Sequence, residues 1–338
     1  MTISKGTAVG FCVLGMTLVG SSVAVSQLLL DYPTLTAQAI RYTAAAAMLF
    51  LIAHRFPRLG GSTPGVRPTV RELGILLVVA ATGMAGFNAC IMLALHHDTE
   101  PAVVGTIIGA APLGLALLGP LVGPLVAGGR ARPSTRIVAA AAVVVAGTVL
   151  VEGTGRATTV GVLGAAGALV GEILFSLLAA IVLPRLGAVR VAAYSCALAV
   201  PLLLLGALVA GEPAAWRLPT ATETGALAYL AVLMTVVAFV FWFIGLERLG
   251  VARAGILVGL MPVATLTTAA VMAMAVPGIG PALGVLTVAA GLAFGLTGKT
   301  DKPAAAGAAG QSASGSRGGK DGAAAAGQER SASLTASA

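Results

Sequence analysis

Ten long apolar runs decide what this chain can become. They cover approximately residues 6–30, 33–53, 73–95, 101–127, 135–151, 160–183, 189–210, 224–246, 252–276 and 280–298. An α-helix needs roughly 20 apolar residues to cross the hydrocarbon core of a bilayer, and these runs have about that length. A membrane β-barrel would instead alternate in short segments. Hydrophobic residues make up 58% of the chain and charged residues 9%, whereas a soluble domain carries about a quarter charged. Too little charge remains to cover a water-facing surface. The expected fold is therefore all-α and membrane-embedded, with ten transmembrane helices.

The first run exceeds the roughly 7–15 residues of a signal-peptide core, so it reads as the first span rather than a cleaved leader. Beyond residue 298 the chain is rich in Ala, Gly and Ser and has no aromatic residue, a composition that predicts disorder. Basic residues occupy alternate breaks. Lys5, Arg55, Arg58, Arg67, Arg71, Arg130, Arg132, Arg136, Arg185, Arg190, Arg248, Arg253, Lys299 and Lys302 fall on one side, and only Arg156 and Arg217 on the other. Because Lys and Arg are retained on the cytoplasmic side, both termini are expected in the cytoplasm, with the chain in the cell membrane (a bacterial inner membrane). The net charge of +8 thus belongs to short loops and does not point to nucleic acid. Cys12, Cys90 and Cys196 lie inside apolar runs and read as small buried hydrophobes.

The chain also repeats itself. At an offset of 150, Ala102, Gly105, Gly109 and Pro112 align with Ala252, Gly255, Gly259 and Pro262; at an offset of 151, "LVGSSV" at 18–23 aligns with "LVGEIL" at 169–174. This predicts two homologous halves, 1–152 and 153–298, followed by a tail at 299–338. Five spans per half would invert the second half relative to the first, an architecture common in secondary transporters. Gly105, Gly109, Gly255 and Gly259 are expected to let helices approach closely. Pro112 and Pro262 each free a backbone carbonyl and bend their helix.

On these features the chain resembles the EamA-like ten-helix members of the drug/metabolite transporter superfamily. The likeness rests on "LVGSSVAVSQ" in the first span, Pro33 and Arg41 in the second, Pro112 and Pro262 in the fourth and ninth, and "GLERLGVARAG" before the ninth. It covers about residues 6–298. The sequence departs from the pattern at Val19, where members often carry Trp, and it lacks a Gly-Glu pair after the fourth and ninth spans. The resemblance implies a solute transporter, often an exporter of metabolites or amino acids, that works without ATP hydrolysis. Consistent with this, no phosphate-cradling G-x-x-x-x-G-K-[ST] loop is present.

Only Arg41 and Glu172 place a charge well inside a span. A charge at the bilayer centre costs at least roughly 2.5–3.5 kcal/mol on insertion scales and normally faces a cavity or a partner. Arg41 lies about 12 Å beyond Pro33, and Glu172 about 18 Å beyond Val160, at 1.5 Å per residue, so the two sit at similar depths. Glu172 has three readings: a proton- or substrate-binding carboxylate, a fixed ion pair with Arg41, or a protonated group at a helix contact. Arg41 either binds an anion or anchors helices.

The softer candidates are Ser22 and Ser26, which share a helix face, Gln27 beside them, and Ser176, one turn beyond Glu172. Ser21, Gln38, Asn88, Thr106, Thr235 and Trp242 are further polar residues in spans. A Ser or Thr in such a place more often bonds its own helix backbone. "HHDTE" at 96–100 lacks the H-E-x-x-H spacing of a metal site and reads as a polar turn.

A membrane-embedded enzyme would need a convergent constellation of nucleophile, base and metal ligands, and the sequence offers none. A non-transporting scaffold or receptor would lack a polar interior. The leading expectation is a secondary transporter working by alternating access, with no cofactor and no metal. Its expected partners are a small-molecule solute, membrane lipid and, through Glu172, a proton; a homodimer is an allowed assembly.

Overall fold

The computed structural model describes residues 4–57, 59, 66–127, 133–153, 155–273 and 278–297. Arg58, Arg130, Arg132, Lys299, Lys302 and the tail expected to be disordered lie outside these residues. Among the described residues ten helices are long and apolar enough to cross a membrane: α1 (Lys5–Leu29), α2 (Thr34–Arg55), α3 (Val70–His96), α4 (Pro101–Val122), α5 (Thr135–Glu152), α6 (Thr159–Leu186), α7 (Ala188–Val209), α8 (Ala221–Leu249), α9 (Val251–Met272) and α10 (Ile279–Leu296). The expected spans agree with these to within a few residues. No strand occurs among the described residues. Helices suit the hydrocarbon core because they satisfy every backbone polar group within one segment.

The packing pairs helices across the sequence midpoint. α1 lies against α8 and α9, while α6 lies against α3 and α4; α2 packs on α7, α4 on α9, and α5 on α10. Small residues make the closest of these approaches possible. A Cβ added to Gly147 of α5 would sit 2.9 Å from the carbonyl oxygen of Gly284 in α10, and one added to Gly284 would sit 2.7 Å from the carbonyl oxygen of Gly147. Helix association in lipid depends on such van der Waals packing, because the hydrophobic effect does not distinguish a helix from a lipid tail.

Four helices are irregular, and they are α3, α8, α4 and α9. In α3 the turns widen to π-type geometry over Ala81–Gly86, and in α8 over Leu230–Val237. The Thr235 hydroxyl donates to the Leu230 carbonyl, 2.8 Å away, within that widened stretch. In α4 the regular helix ends at Ile108, turns through Gly109 and Ala110, and resumes at Ala111. In α9 it tightens into a 3₁₀ turn over Leu257–Gly259 and resumes at Leu260. Both interruptions precede the prolines expected to free a carbonyl. Proline has no N–H, so Pro112 and Pro262 cannot bond the carbonyls four residues back.

Two turns are as short as a helical hairpin allows. Gly187 alone joins α6 to α7, and Gly250 alone joins α8 to α9, with φ/ψ of 76°/161° and 77°/156°. That backbone region is essentially restricted to glycine. Each glycine sits in the same sequence, R-L-G-x-x-R, at 185–190 and 248–253. Gly187→Ala and Gly250→Ala are each expected to cost about 1–3 kcal/mol, measurable as a lower melting temperature of the purified protein. An unchanged melting temperature would show that the turns relax into another conformation.

Candidate functional site

Arg41 lies seven residues into α2 and is 5% exposed. Its Nη2 donates to the Tyr42 hydroxyl at 2.6 Å, and its guanidinium carbon lies 4.3 Å from the centroid of the Tyr42 ring. Its Nε has no hydrogen-bond partner, and no carboxylate of a described residue lies within 4.0 Å. A buried charge ordinarily requires pairing to offset its desolvation. Here one phenol is the guanidinium's only hydrogen-bond partner among the described residues.

Glu172 is the fourteenth residue of the 28-residue helix α6 and is half-buried. No hydrogen bond or ion pair ties it to a described residue, so a direct pair with Arg41 is absent from this structure. Tyr42 connects the two indirectly. Its phenol accepts from Arg41 and lies within electrostatic range of Cys196, Asn88 and Glu172. Asn88 donates to the Met84 carbonyl at 2.7 Å, inside the widened segment of α3. One turn beyond Glu172, Ser176 is fully buried and its hydroxyl has no partner. The hydroxyl of Ser195, next to Cys196 on α7, and the carbonyl oxygen of the Gln38 side chain are likewise buried and unpartnered. Buried polar groups are normally satisfied, so these four residues across α2, α6 and α7 mark unused hydrogen-bonding capacity in the interior.

The other candidates lie elsewhere. Ser22 donates to the Val19 carbonyl at 2.6 Å and Ser26 to the Ser22 carbonyl at 2.8 Å, the local bonding expected of serines in helices. Ser21 lies 2.7 Å from the Tyr229 hydroxyl of α8. Gln27 is exposed in the 3₁₀ turn that closes α1. Thr106 donates to the Gly153 carbonyl at 3.1 Å, and Trp242 is buried in the core.

The repeated glycines are packing positions. An added Cβ would meet Glu152 at Gly105, Thr148 at Gly109, Leu115 at Gly255 and Val144 at Gly259. "HHDTE" forms the α3–α4 turn and is pinned to the segment before α6. Glu100 and Arg156 form an ion pair of 3.1 Å, and Thr158 donates to the His97 carbonyl at 2.7 Å. The Arg156 hydrogen bond holds the Glu100 carboxyl below its ordinary range. This contribution to stability is present at neutral pH and is lost as pH falls through the lowered value. It is small for so exposed a pair.

Several features escaped the sequence reading. Tyr42 and Cys196 carry no local signal of a role, and the widened turns of α3 and α8 have none either. A legible signal was passed over in "PTVREL" and "PTATET". Thr69 with Glu72 and Thr220 with Glu223 form complete capping boxes at the starts of α3 and α8, 151 residues apart. Each boxed glutamate also meets an arginine. Arg185 of α6 bonds Glu72 and the Arg67 carbonyl, while Arg217 bonds Glu223.

At the start of α2, Glu212 from the α7–α8 connection accepts from the Leu35 and Thr36 amides, both at 2.8 Å, and from the Thr36 hydroxyl at 2.7 Å. Trp216 Nε1 donates to the same hydroxyl at 2.9 Å. Beside them, Tyr32, Thr36, Leu204, Trp216 and Arg217 line an open cleft of about 430 Å³. Glu212→Ala is expected to cost about 1–2 kcal/mol, since it strips a negatively charged cap from the helix start. Hydrogen exchange at Leu35 and Thr36 should accelerate about tenfold. Equal exchange in the variant would show that water replaces the carboxylate without loss.

Ten bilayer-length helices enclosing buried, unpaired charge define a polytopic membrane protein with a polar interior. The EamA-like transporter family model matches residues 159–297. The uncharacterized transporter YdeK of Bacillus subtilis (strain 168) is 34% identical over 209 residues, covering 61% of this chain and 69% of its own. The uncharacterized transporter YetK of the same organism is 24% identical over 273 residues, covering 76% and 77%. The chain belongs to the EamA-like transporter family and is a membrane transporter. A solved crystal structure at 20% identity superimposes with a TM-score of 0.71, covering 87% of this chain and 98% of its own, and so shares the fold.

Proposed function

We propose that the protein is a secondary transporter that exports a small metabolite, amino acid or drug-like solute by alternating access, with Glu172 as its proton-binding group. The observation that carries this reading is the carboxylate at the midpoint of α6, which pairs with no described residue and lies within electrostatic reach of Tyr42. A carboxylate in that position can exchange a proton or a cationic substrate group without first breaking an ion pair. An intramembrane ionisable residue is by default a functional candidate. The export direction rests on the resemblance to exporters of metabolites and amino acids.

Alternating access is supported by the internal symmetry. Exchanging α1–α5 with α6–α10 converts the α1 contacts with α8 and α9 into the α6 contacts with α3 and α4, and leaves the pairs α2–α7, α4–α9 and α5–α10 unchanged. The widened turns of α3 and α8, the interrupted helices α4 and α9, and the two capping boxes fall at corresponding positions. Two inverted five-helix repeats rocking against each other around a central site would account for all four correspondences. In this reading Gly105, Gly109, Pro112, Gly255, Gly259 and Pro262 serve as matched packing and hinge positions. The basic bias of the loops supports a cytoplasmic location for both termini.

The test is flux in proteoliposomes holding the purified full chain, across a metabolite panel, with and without an imposed pH gradient. A solute that moves against its own gradient when the pH gradient is imposed, and stops when it is collapsed, is the expected result. Flux indifferent to the pH gradient for every solute moved would remove proton coupling.

A further inference from the structure

Four arginines at or near helix ends are tied to oxygen acceptors. Arg136 donates to the Phe294 carbonyl from Nε at 2.9 Å and from Nη2 at 2.7 Å; Arg185, Arg217 and Arg156 each meet a glutamate. Arg41, deep within a span and 5% exposed, has no such carboxylate or carbonyl among the described residues. It carries five N–H donors, its Nε is unpartnered, and one neutral phenol accepts from Nη2.

We propose that Arg41 is the docking group for a carboxylate on the transported solute, which makes the substrate class small monocarboxylates, including zwitterionic amino acids. This rests on the transporter reading above and names the chemistry of its site. The guanidinium is planar, and its paired donors match the two oxygens of a carboxylate. Tyr42 holds one edge of it through the 2.6 Å hydrogen bond. Further capacity lies on the same and the neighbouring helix: Gln38, three residues earlier on α2, has an unpartnered side-chain oxygen, and Ser195, next to Cys196 on α7, has an unpartnered hydroxyl.

Charge balance narrows the class. Glu172 and Arg41 both act on the Tyr42 phenol. A dianion such as a phosphate monoester would bring two negative charges towards an interior holding one carboxylate and one guanidinium. A monocarboxylate balances Arg41, and a zwitterion also offers Glu172 an ammonium. Removing one partner of a buried charge pair is costly, because the other charge is left unsatisfied. The class is therefore defined by the presence of a carboxylate more than by the shape of the rest of the molecule.

The experiment measures the thermal shift of the detergent-purified full chain with L-alanine, L-phenylalanine and benzoate, each beside its amide, and with inorganic phosphate. The acids should raise the melting temperature and the amides should not. Arg41→Gln should weaken acid binding by at least about tenfold, and Arg41→Lys should retain part of it. Equal protection by acids and amides overturns the assignment, as do stronger protection by phosphate, equal protection of the Arg41 variants, or no protection by any acid. Where Arg41→Gln fails to fold, the acid–amide contrast on the wild-type chain and the Arg41→Lys protein give the answer. Proteoliposome flux separates this inference from the reading beneath it. Acid binding without flux leaves the site standing and removes alternating access; flux of amides or amines with no preference for acids does the reverse.

Discussion

Glu172→Gln is expected to leave the protein folded and to abolish pH-driven transport, lowering flux by at least about tenfold. The expectation follows from what the carboxylate does not do. It makes no hydrogen bond or ion pair with a described residue, so an isosteric amide breaks no structural contact and removes only the capacity to ionise. Breaking a buried salt bridge would instead destabilise by about 3–5 kcal/mol. The two readings therefore separate on stability as well as flux. A variant that keeps its melting temperature and loses the pH dependence supports the proton-binding role. One that unfolds in mild detergent points to a structural carboxylate. One that transports with an unchanged pH profile rules the role out.

The second large effect is structural. Gly20 lies where α1 crosses α9, and the Thr265 hydroxyl donates to its carbonyl at 2.9 Å. A Cβ added there would meet the Met261 carbonyl and approach Ala264 Cβ to 2.6 Å. Both neighbours are stiff, so the helices themselves would have to part. Overpacking of this kind costs about 1–3 kcal/mol. Gly10, on the same helix, has nothing within 4 Å of its added Cβ. Alanine there should be neutral or favourable by up to about 1 kcal/mol through helix propensity. The pair thus compares one substitution at two places on one helix. Gly20→Ala should lower the melting temperature and Gly10→Ala should not. Equal shifts would mean that α1 and α9 are not pressed together as described.

Periodicity and composition made the helices legible because the bilayer imposes one length and one solvent on every span. Glu172 and Arg41 stood out for the same reason, since a charge in such a run is costly enough to call for a partner or a cavity. Tyr42 and Cys196 were not legible: a phenol and a thiol in apolar runs resemble core residues, and neither the bond between the adjacent side chains of Arg41 and Tyr42 nor the approach of α7 is written in the pattern. Ser22 and Ser26 looked alike to Ser176 in sequence, yet the first two bond their own helix and the third is left without a partner. That difference comes from which neighbour each serine faces. The widened turns of α3 and α8 arise from backbone register, which side-chain pattern does not encode.

The connections between helices carry a mechanical consequence. Single residues, Gly187 and Gly250, join α6 to α7 and α8 to α9, whereas residues 210–220 join α7 to α8. In the first half, residues 30–33 and 97–100 make the corresponding short links, and 56–69 the long one. At about 3.8 Å between successive Cα atoms, a one-residue link keeps two helix ends within about 8 Å, while eleven residues can reach roughly 36 Å. Each end of the bundle therefore has taut seams contributed by one half and a generous seam contributed by the other, with the roles exchanged at the opposite end. In the alternating-access cycle proposed above, separation at either end would run along the generous seam and pivot on the taut ones. Shortening the 210–220 connection would then restrict one end of the molecule and leave the other free to move.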